Sequence, residues 1–404
     1  MNKNIWIINQ YSGSPHYGMN YRSYYFAKEF LKNNNNVTIF TGSYSHLFSN
    51  YPKVTGLFTN ETIDDINYIW IKTPKYKRSK SIGRVFNMLI FMIKLFFFNI
   101  FKMKKPDIII VSSLSLFPIL NAYIWSKILK IDFILEVRDI WPLTLMEVGN
   151  MSKYHPLVIF LGWFEKLGYK KAKYVVSVLP NAKEHMVNHG MQENKFKYIP
   201  NGLNLDEVEN YEEISHDLKK NLPKNKFIIG YVGTIGIANA LDYLVESAKA
   251  LKDNNDIHFV LVGKGGELKR LKKYCKDNEL FNVTFIDPIP KVQVQSMLKL
   301  FDVCYLGWHN KDIYKYGVSA NKIFDYMYSA KPILHSISIE DDIMEQAECG
   351  VTVESENSEE IKKAILALSL ENISKLDKMG QNGKKYVIKN HSYNALSKKY
   401  INLL

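Results

Sequence analysis

Short apolar runs alternate with longer amphipathic segments through the first half of the chain. The first run covers Ile5 to Ile8, a loop follows, and helical spacing then predicts a helix over about Asn20 to Lys32. Val37 to Thr41 is predicted as the next strand. This order of strand, loop, helix and strand is typical of an α/β domain with a parallel sheet. Later runs continue the alternation, at 68–71, 107–111, 133–137 and 174–178.

The pattern breaks after the run at 174–178. Pro200, Asn201 and Gly202 precede an acidic stretch and Pro223, which predicts a linker over 201–226. The alternation then resumes, with strands predicted at 227–233, 258–262, 283–286, 303–306, 332–335 and 351–353. We therefore predict two Rossmann-like parallel-sheet domains, over 1–200 and 227–385. A C-terminal helix within 386–404 is expected to pack back on the first domain.

The segment from 72 to 105 differs from the rest of the first domain. An apolar run from Val85 to Phe98 contains Lys94. It is shorter than the ~20 residues that a membrane-spanning helix needs. A buried core helix, an interfacial helix on an anionic membrane and, least favoured, a true span remain open. Basic residues flank the run on both sides: Lys72, Lys75, Lys77, Arg78, Lys80, Arg84, Lys102, Lys104 and Lys105.

Composition narrows the class of protein. A length of 404 residues with 47% hydrophobic residues suits two domains with substantial cores. The formal net charge of +13 favours anionic partners such as phosphate ligands, membranes or nucleic acid. The three cysteines lack Cys-x-x-Cys spacing, which argues against a disulfide framework or zinc site and for a reducing compartment. The N-terminus is predicted to be a strand and not a signal peptide.

The stretch from Tyr314 to Met327 carries the clearest candidate chemistry. A loop with Gly317 leads into a predicted helix with Ser319 as N-cap and Ala320 as first residue. Free N–H groups, the helix dipole and a lysine at a helix start suit a phosphate, and a carboxylate one turn further in suits ribose hydroxyls. The alternative is a capped amphipathic helix with a solvated polar face. The apolar face would be Ile323, Phe324, Met327 and Tyr328, and the polar face Asn321, Lys322, Asp325 and Ser329.

Other turns are predicted at the carboxyl ends of strands, where open α/β sheets bind ligands. In the second domain, several glycine-rich turns on one rim could hold a nucleotide diphosphate. They contain Gly233, Thr234, Lys264, Ile286 and Gly317. Lys264 could meet a phosphate or remain a solvated lysine.

The first domain has its own candidates on the same kind of rim. Glu136, Arg138 and Asp139 lie within four residues at the end of a buried strand. Charges there are costly unless they are paired or used. Either a catalytic group or a structural Arg/Asp pair would explain them. The loop from Ser14 to Arg22, which contains Gly18, could close over a ligand.

Several other chemistries lack their motifs. No Gly-x-Gly-x-x-Gly follows the first strand, and no Walker A, Gly-x-Ser-x-Gly or His-Glu-x-x-His sequence occurs. No Asp-x-Asp occurs either, which argues against a metal-bridged nucleotide-sugar site.

Together these stretches resemble retaining glycosyltransferases of family 4, which have the GT-B fold. The likeness covers nearly the whole chain. It is similar to a bacterial subgroup that builds O-antigen, capsule and exopolysaccharide repeats and includes enzymes resembling N-acetyl-fucosamine transferases. The matching stretches are 11–19 with Arg22, 136–142, 233–238 and 316–327.

The resemblance implies a donor site in the second domain, an acceptor site in the first and a cleft between them. The second residue of the family's acidic pair, which binds the ribose, falls on Asp325. The first falls on Gly317, so backbone N–H groups near Val318 and Ser319 would hold the donor sugar.

Two further family positions differ in this sequence. The family's first-domain histidine falls on Arg138, and its arginine after the first strand of the second domain falls on Thr234. Lys264 and Lys322 are therefore the candidates for the donor phosphates.

We therefore expect a metal-independent, retaining sugar transferase without a cofactor. Its donor would be a nucleotide diphosphate sugar, most consistent with a UDP-linked N-acetyl sugar, and its acceptor a lipid-linked saccharide. The expected location is the cytoplasmic face of the cell membrane, on its anionic surface, with no nucleic-acid partner. The alternatives are a nucleotide-sugar epimerase of the same fold and a basic nucleic-acid-binding protein.

Overall fold

The computed structural model describes residues 2–18, 20–77, 81–113 and 115–404. Met19 of the first-domain loop and the basic residues Arg78 and Lys80 lie outside the described residues. Backbone contacts divide the chain into two units. Unit 1 comprises Met1–Asn201 and Tyr393–Leu404, and unit 2 comprises Gly202–Ser392.

Unit 1 contains a sheet of eight described strands in the order β3-β4-β2-β1-β5-β6-β7-β8. All neighbours pair in parallel except β3, which is antiparallel to β4. β3 is absent from the predicted strands because its side chains are half-buried or exposed, which gives no strong apolar run. The strands are β1 (Asn4–Ile8), β2 (Asn36–Gly42), β3 (Phe58–Ile63), β4 (Ile66–Ile71), β5 (Ile108–Ser112), β6 (Asp132–Val137), β7 (Tyr174–Ser177) and β8 (Phe196–Tyr198).

Helices of unit 1 connect these strands. The first begins at Arg22 and not at Asn20. The described α-helices before the second unit are α1 (Arg22–Lys32), α2 (Ile82–Phe96), α3 (Pro118–Leu129), α4 (Leu143–Glu147), α5 (Pro156–Lys171) and α6 (Lys183–Asn188).

Helix α2 has two different apolar faces. Met88, Phe91 and Leu95 are buried in unit 1, as a core helix requires. Ile82 and Phe86 are exposed at 89% and 56%. With Ile93 and Phe97, which are also exposed, they follow helical spacing and form one apolar stripe on the outer side. In the described part of the chain, no helix is both long and apolar enough to cross a membrane.

Unit 2 contains a six-stranded parallel sheet in the order β11-β10-β9-β12-β13-β14. Every strand predicted in this half is present, with small shifts at its ends. The strands are β9 (Phe227–Val232), β10 (Ile257–Val262), β11 (Val283–Ile286), β12 (Val303–Gly307), β13 (Ile333–Ser336) and β14 (Gly350–Val353).

Two short helices occupy the predicted linker, and residues 202–226 pack within unit 2. The described α-helices of the second half are α7 (Leu205–Glu209), α8 (His216–Lys220), α9 (Leu241–Ala250), α10 (Leu268–Asp277), α11 (Val294–Leu298), α12 (Asn321–Tyr328), α13 (Ile343–Gln346), α14 (Ser358–Ser369), α15 (Ile373–His391) and α16 (Tyr393–Ile401).

The C-terminal segment changes unit at Ser392. Helix α15 belongs to unit 2, whereas α16 belongs to unit 1. Tyr393 and Tyr400 of α16 pack edge-on against Phe26 of α1, with ring centroids 5.2 and 4.8 Å apart. This aromatic contact fixes the end of the chain to the first sheet's core.

Candidate active site

In each unit, the strand order reverses beside the first strand of the sheet, which is where open α/β sheets bind ligands. In unit 2 that strand is β9, which lies between β10 and β12. The turn at Gly233 follows β9, and the loop with Gly317 connects β12 to helix α12. The sheet therefore brings the predicted donor-site stretches to one rim.

The first two turns of this rim are packed so closely that they require glycine. A Cβ atom added at Gly263 would lie 1.9 Å from the Gly233 carbonyl oxygen, and one at Gly265 would lie 2.0 Å from that of Ile235. The φ of Gly263 is +146°, which also favours glycine. Lys264 stands between these glycines with an exposed side chain.

Lys322 of α12 reaches across to the end of β9. Its Nζ donates to the Tyr231 hydroxyl at 3.1 Å and to the Asn239 side-chain oxygen. Tyr231 and Asn239 both donate to the Thr234 carbonyl oxygen, at 2.7 and 2.8 Å. Burial lowers the pKa of Lys322 from 10.5 to about 8. This lysine has no ion pair within the described residues, so a half-buried positive charge is held without a counter-charge.

Helix α12 begins one residue later than predicted. Its N-cap is Ala320, whose side chain cannot cap, so the prediction of Ser319 as N-cap was wrong. The preceding Gly317 is buried and has φ +93°, a conformation that favours glycine. The N–H groups of the first turn therefore have no side-chain cap. Lys322 is the second residue of this turn. Val318 and Ser319 are half-buried beside them, and Asn321 is exposed.

Asp325 lies on the same helix, three residues after Lys322, and its carboxylate is half-buried. In the described part of the chain, this carboxylate makes no hydrogen bond or ion pair. Burial raises its pKa, opposed in part by the charge of Lys291. Its backbone carbonyl accepts from Gln295 Nε2 at 3.0 Å. The fold thus holds a carboxylate ready to accept hydrogen bonds from a ligand.

The structure agrees with most of the predicted apolar face of α12 but differs from the predicted polar face at one residue. Ile323, Phe324 and Met327 are buried as expected. Ser329, predicted on the polar face, is buried, and its hydroxyl donates to the Tyr326 carbonyl oxygen at 2.7 Å. Tyr326 is also fully buried, and its hydroxyl bonds to both backbone groups of Val232.

The remaining donor-site candidates lie at the same rim with fewer contacts. Ile286 ends β11, and its carbonyl oxygen accepts from Gly263 N at 2.9 Å, so it supports the glycine turn. Thr234 has an exposed side chain and contributes its carbonyl to the Lys322 network.

A second buried network lies nearby in unit 2. His335 Nδ1 donates to Asp342 at 2.7 Å, and Trp308 Nε1 donates to His335 Nε2 at 2.9 Å. Burial alone would raise the pKa of Asp342, but His335 and Thr352 hold it below its usual value. These contacts fix Trp308 at the carboxyl end of β12, beside Tyr314.

In unit 1, Gly18 lies in a folded turn and not in an extended loop. Gly18 N donates to Ser14 O at 2.8 Å, and Ser49 N donates to Tyr17 O at 2.9 Å. Gly18 has φ +109°, and an added Cβ would lie 2.7 Å from Ser49 N. The turn is therefore fixed to the segment that follows β2. The role of Gly18 in donor binding stays a prediction.

Glu136 points into the core of unit 1. Its Oε2 accepts from Arg22 Nε at 2.9 Å and from the Tyr400 hydroxyl at 2.7 Å, and its Oε1 accepts from Ser112 at 3.2 Å. Burial alone would raise its pKa, but Arg22 and Arg138 hold it below the usual value. Arg22 also donates to the carbonyl oxygens of Ile199 and Pro200. These contacts favour a structural role for Glu136 and fix α1, β6 and α16 together.

Arg138 and Asp139 lie in a different setting from Glu136. The Nε and Nη1 atoms of Arg138 are buried and have no hydrogen-bond partner among the described residues. Burial lowers the pKa of this guanidinium, against the charge of Glu136. Asp139 is exposed. The arrangement therefore keeps Arg138, but not Glu136, available to an anionic ligand.

Arg84, one of the basic residues that flank the apolar run of α2, lies among aromatic side chains at the carboxyl edge of the first sheet. Its guanidinium is 5.2 Å from the Tyr11 ring centroid, and Nε donates to the Tyr11 hydroxyl at 3.3 Å. Burial and the charge of Arg84 lower the pKa of His46. Tyr76 contacts the same histidine. Only the long-range pairing of β1, β2 and β4 brings these residues together, so local patterns could not reveal them.

Among the described residues of unit 1, three side chains have ligand atoms close enough together for a metal ion. Glu165, His185 and His189 each offer an atom within 4.8 Å of the others. His185 Nε2 lies 3.1 Å from Glu165 Oε1, and the two imidazole rings stack with centroids 4.0 Å apart. Glu165 lies on α5, His185 lies on α6, and His189 directly follows α6.

Two protein families match this chain. Residues 17–207 match the family described as Glycosyltransferase Family 4, and residues 213–386 match the one described as Glycosyl transferases group 1. Each half of the chain therefore matches a glycosyltransferase domain family.

Curated relatives support the same class. An uncharacterized glycosyltransferase of Methanocaldococcus jannaschii is 28% identical over 58% of this chain and 59% of its own length. WcaI of Escherichia coli K12, a candidate colanic acid biosynthesis glycosyl transferase, is 25% identical over 59% of this chain and 60% of its own length. The matched region thus spans about three fifths of each relative.

Solved structures show the fold. Sucrose-phosphate synthase from Thermosynechococcus elongatus aligns with 100% of this chain and 98% of its own, with a TM-score of 0.73 and 14% identity. HepE of Anabaena in complex with UDP-glucose aligns over 100% of both chains, with a TM-score of 0.66 and 13% identity. The α/β class and the GT-B fold are thereby confirmed.

Proposed function

We propose that this chain is a retaining glycosyltransferase that moves a sugar from a UDP-linked donor to a lipid-linked saccharide in cell-surface polysaccharide synthesis. The observation that carries the proposal is the pair of unmatched charges on α12. Lys322 lacks an anionic partner and Asp325 lacks any donor within the described residues, at the rim where this fold binds ligands. A nucleoside diphosphate would supply both, with phosphates at Lys322 and ribose hydroxyls at Asp325.

The positive charge at the start of α12 would also help the nucleoside diphosphate to leave the sugar. Negative charge develops on the leaving phosphate as the glycosidic bond breaks, and fixed cations and N–H groups stabilise it. We expect Lys322, the exposed Lys264 and the first N–H groups of α12 to stabilise this charge. We propose that the acceptor hydroxyl attacks the anomeric carbon on the face from which the diphosphate leaves, and that the leaving phosphate takes the hydroxyl proton.

The donor identity is supported by a neighbour and not by this chain alone. HepE of Anabaena, which shares the fold, has been solved with UDP-glucose. We propose UDP as the nucleotide, and an N-acetylated sugar by resemblance to the bacterial subgroup. The experiment is a screen of nucleotide sugars for transfer to membrane extracts from bacteria. Transfer of label into lipid-extractable material supports the proposal, and conversion of the donor alone, without acceptor, would indicate an epimerase.

A thermal test separates the transferase from a nucleic-acid-binding protein. A ligand that binds only the folded state raises the melting temperature by mass action. UDP is expected to raise it, and the same concentration of an oligonucleotide is not. The reverse result, with steep salt dependence, would overturn the proposal.

We also propose that unit 1 attaches to the anionic inner surface of the cell membrane. The exposed stripe on α2 supplies the apolar contact, and Lys102, Lys104 and Lys105, which lie shortly after it, supply charge at about 1 kcal/mol each near such a surface. Replacing Ile82 and Phe86 by serine should release the protein from phosphatidylglycerol vesicles. Phe281→Ser is the matched control, because Phe281 is 87% exposed in unit 2. Equal vesicle binding by all variants would contradict membrane attachment.

A further inference from the structure

Three side chains of unit 1 that the proposed transfer reaction does not use lie close together. They are Glu165 on α5, His185 on α6 and His189 directly after α6. In the described part of the chain, no other three histidine, cysteine, aspartate or glutamate side chains have ligand atoms that all lie within 4.8 Å of one another. The two histidines are four residues apart and therefore share one face of the helix. Glu165 is 20 residues before His185, so the fold brings it to them.

Glu165 is a carboxylate that is buried within unit 1. Its side chain is 4% exposed, and its ion-pair partner among the described residues is His185, whose Nε2 lies 3.1 Å from Oε1. An imidazole carries a positive charge only when it is protonated. A carboxylate that is buried without a counter-charge is costly in free energy. A divalent cation between the two groups supplies that charge when the imidazole is neutral.

The hydrogen bond of His189 leaves one of its ring nitrogens for a metal ion. His189 Nδ1 lies 2.8 Å from the carbonyl oxygen of His185. Because a carbonyl oxygen can only accept, Nδ1 carries the proton, and in the neutral ring Nε2 has the lone pair. Histidines that bind metals usually donate their second ring N–H to a carbonyl or carboxylate oxygen in this way. His189 is half-buried, so the group is not sealed from solvent.

A second hydrogen bond holds the Glu165 carboxylate. Tyr169, one turn later on α5, is buried, and its hydroxyl donates to that carboxylate. Carboxylates that bind metals are commonly held by such a bond. The distance between Glu165 and His185 also suits a metal ion. Two ligand atoms about 2.0–2.1 Å from a tetrahedral zinc ion lie about 3.3 Å from each other, and the observed distance between Oε1 and Nε2 is 3.1 Å.

We propose that Glu165, His185 and His189 bind one Zn²⁺ ion, with water as its fourth ligand. Two imidazoles and one carboxylate are a donor set that zinc sites use, and three protein ligands leave one coordination position open. The ion joins α5 to α6, the helices before and after β7 in the sequence, and stabilises unit 1. It has no part in the proposed sugar transfer, which stays metal-independent. The inference therefore stands apart from the proposed function.

The test is a calorimetric titration of the full chain with zinc chloride, after EDTA treatment and dialysis have removed bound metal. Wild type should bind one zinc ion per chain. His189→Ala and Glu165→Gln each remove a ligand and should weaken zinc binding about a hundredfold or more. Tyr169→Phe removes only the hydroxyl that holds Glu165, so it should weaken binding about tenfold. Magnesium chloride, whose cation prefers oxygen ligands, should not bind at this site.

A matched control and a melting measurement separate a metal site from a hydrogen-bonded pair of glutamate and histidine. His216→Ala replaces an exposed histidine of unit 2 and should bind zinc as wild type does. Zinc should raise the melting temperature of wild type but not that of His189→Ala, because only a folded state that binds the ion is stabilised by it. If Glu165→Gln fails to fold, the half-buried His189 still provides the test. Equal zinc affinity in wild type and His189→Ala, or no binding of zinc by wild type, would overturn the inference.

Discussion

Replacing Asp325 by asparagine should weaken UDP binding without destabilising the protein. In the described structure its half-buried carboxylate has no hydrogen bond or ion pair. Burial raises its pKa, and Lys291 opposes this only in part. The charge is therefore held at a free-energy cost in the absence of ligand. A carboxylate that stabilised the fold would have hydrogen-bond or ion-pair partners, and its pKa would be lowered.

The loss of affinity follows from the number of ribose contacts. A hydrogen bond to a charged acceptor contributes about 1.5–3 kcal/mol. Losing one or two should weaken binding by about tenfold to well over a hundredfold. Asp325→Asn keeps the shape and part of the hydrogen bonding, so its affinity should lie between those of wild type and Asp325→Ala.

The stability change has a defined pH dependence. Because the folded-state pKa of Asp325 is raised above 3.8, the folded state holds its proton to higher pH than the unfolded state. Stability therefore falls as pH rises from the unfolded pKa through the folded pKa. Asp325→Asn removes this penalty, so it should melt at a higher temperature than wild type at neutral pH. The gain should disappear below pH 3.8.

Calorimetry with UDP and 2′,3′-dideoxy UDP isolates the contact. The dideoxy analogue should bind wild type poorly and lose little more in Asp325→Ala, since both changes remove the same interaction. Asp277→Asn, at an exposed aspartate of unit 2, is the matched control. Fully additive losses would show that Asp325 does not hold the ribose. A lower melting temperature that accounts for the lost binding would assign it a structural role.

Three further predictions concern charge. Lys322 has a pKa of about 8, so it loses its charge as pH rises through 8. UDP affinity measured by calorimetry should then fall above pH 8 in wild type but not in Lys322→Arg, and a flat wild-type profile would refute this. Glu136→Gln should cost about 3–5 kcal/mol in urea unfolding because it leaves the Arg22 guanidinium buried without its carboxylate; an unchanged midpoint would contradict the buried pair. EDTA should leave the rate of sugar transfer unchanged. If EDTA lowers the rate, and zinc restores it in wild type but not in His189→Ala, a metal ion is bound by Glu165, His185 and His189.

The repeated alternation of strands and helices was predictable because buried parallel strands form short apolar runs. The exceptions have physical causes. Strand β3 was missed because its side chains are half-buried or exposed. The predicted linker contains two short helices of unit 2, and Pro200, Gly202 and Pro223 could not reveal them because such turn residues also occur within domains.

The two faces of α2 illustrate another limit. Its sequence is apolar on almost every side, so periodicity could not separate a core helix from an interfacial one. The structure buries Phe91 and Leu95 fully and leaves Ile82 and Phe86 exposed. Which apolar residues of a helix are buried depends on the elements that pack against it. Those elements are distant in sequence, so the local pattern does not reveal them.

The candidate site was predictable only where one segment carries it. Asp325 and Lys322 could be proposed from the sequence because they share one predicted helix that follows a glycine-containing loop. The contacts of Lys322 with Tyr231 and Asn239, 91 and 83 residues away, were not predictable from local spacing. The same holds for Glu136, whose partners Arg22 and Tyr400 are 114 and 264 residues away.

Two sets of charged side chains, one in each unit, are held in opposite ways. In unit 1, Arg22 and Glu136 form a buried pair 2.9 Å apart, and Tyr400 and Ser112 complete the carboxylate's hydrogen bonds. In unit 2, Lys322 and Asp325 are three residues apart on one helix, a spacing at which such side chains often pair. Lys322 instead bonds to neutral oxygens, and Asp325 has no partner in the described structure. A fold that needed these charges for stability would pair them, so we infer that they are kept apart for a ligand with both anionic and hydroxyl groups.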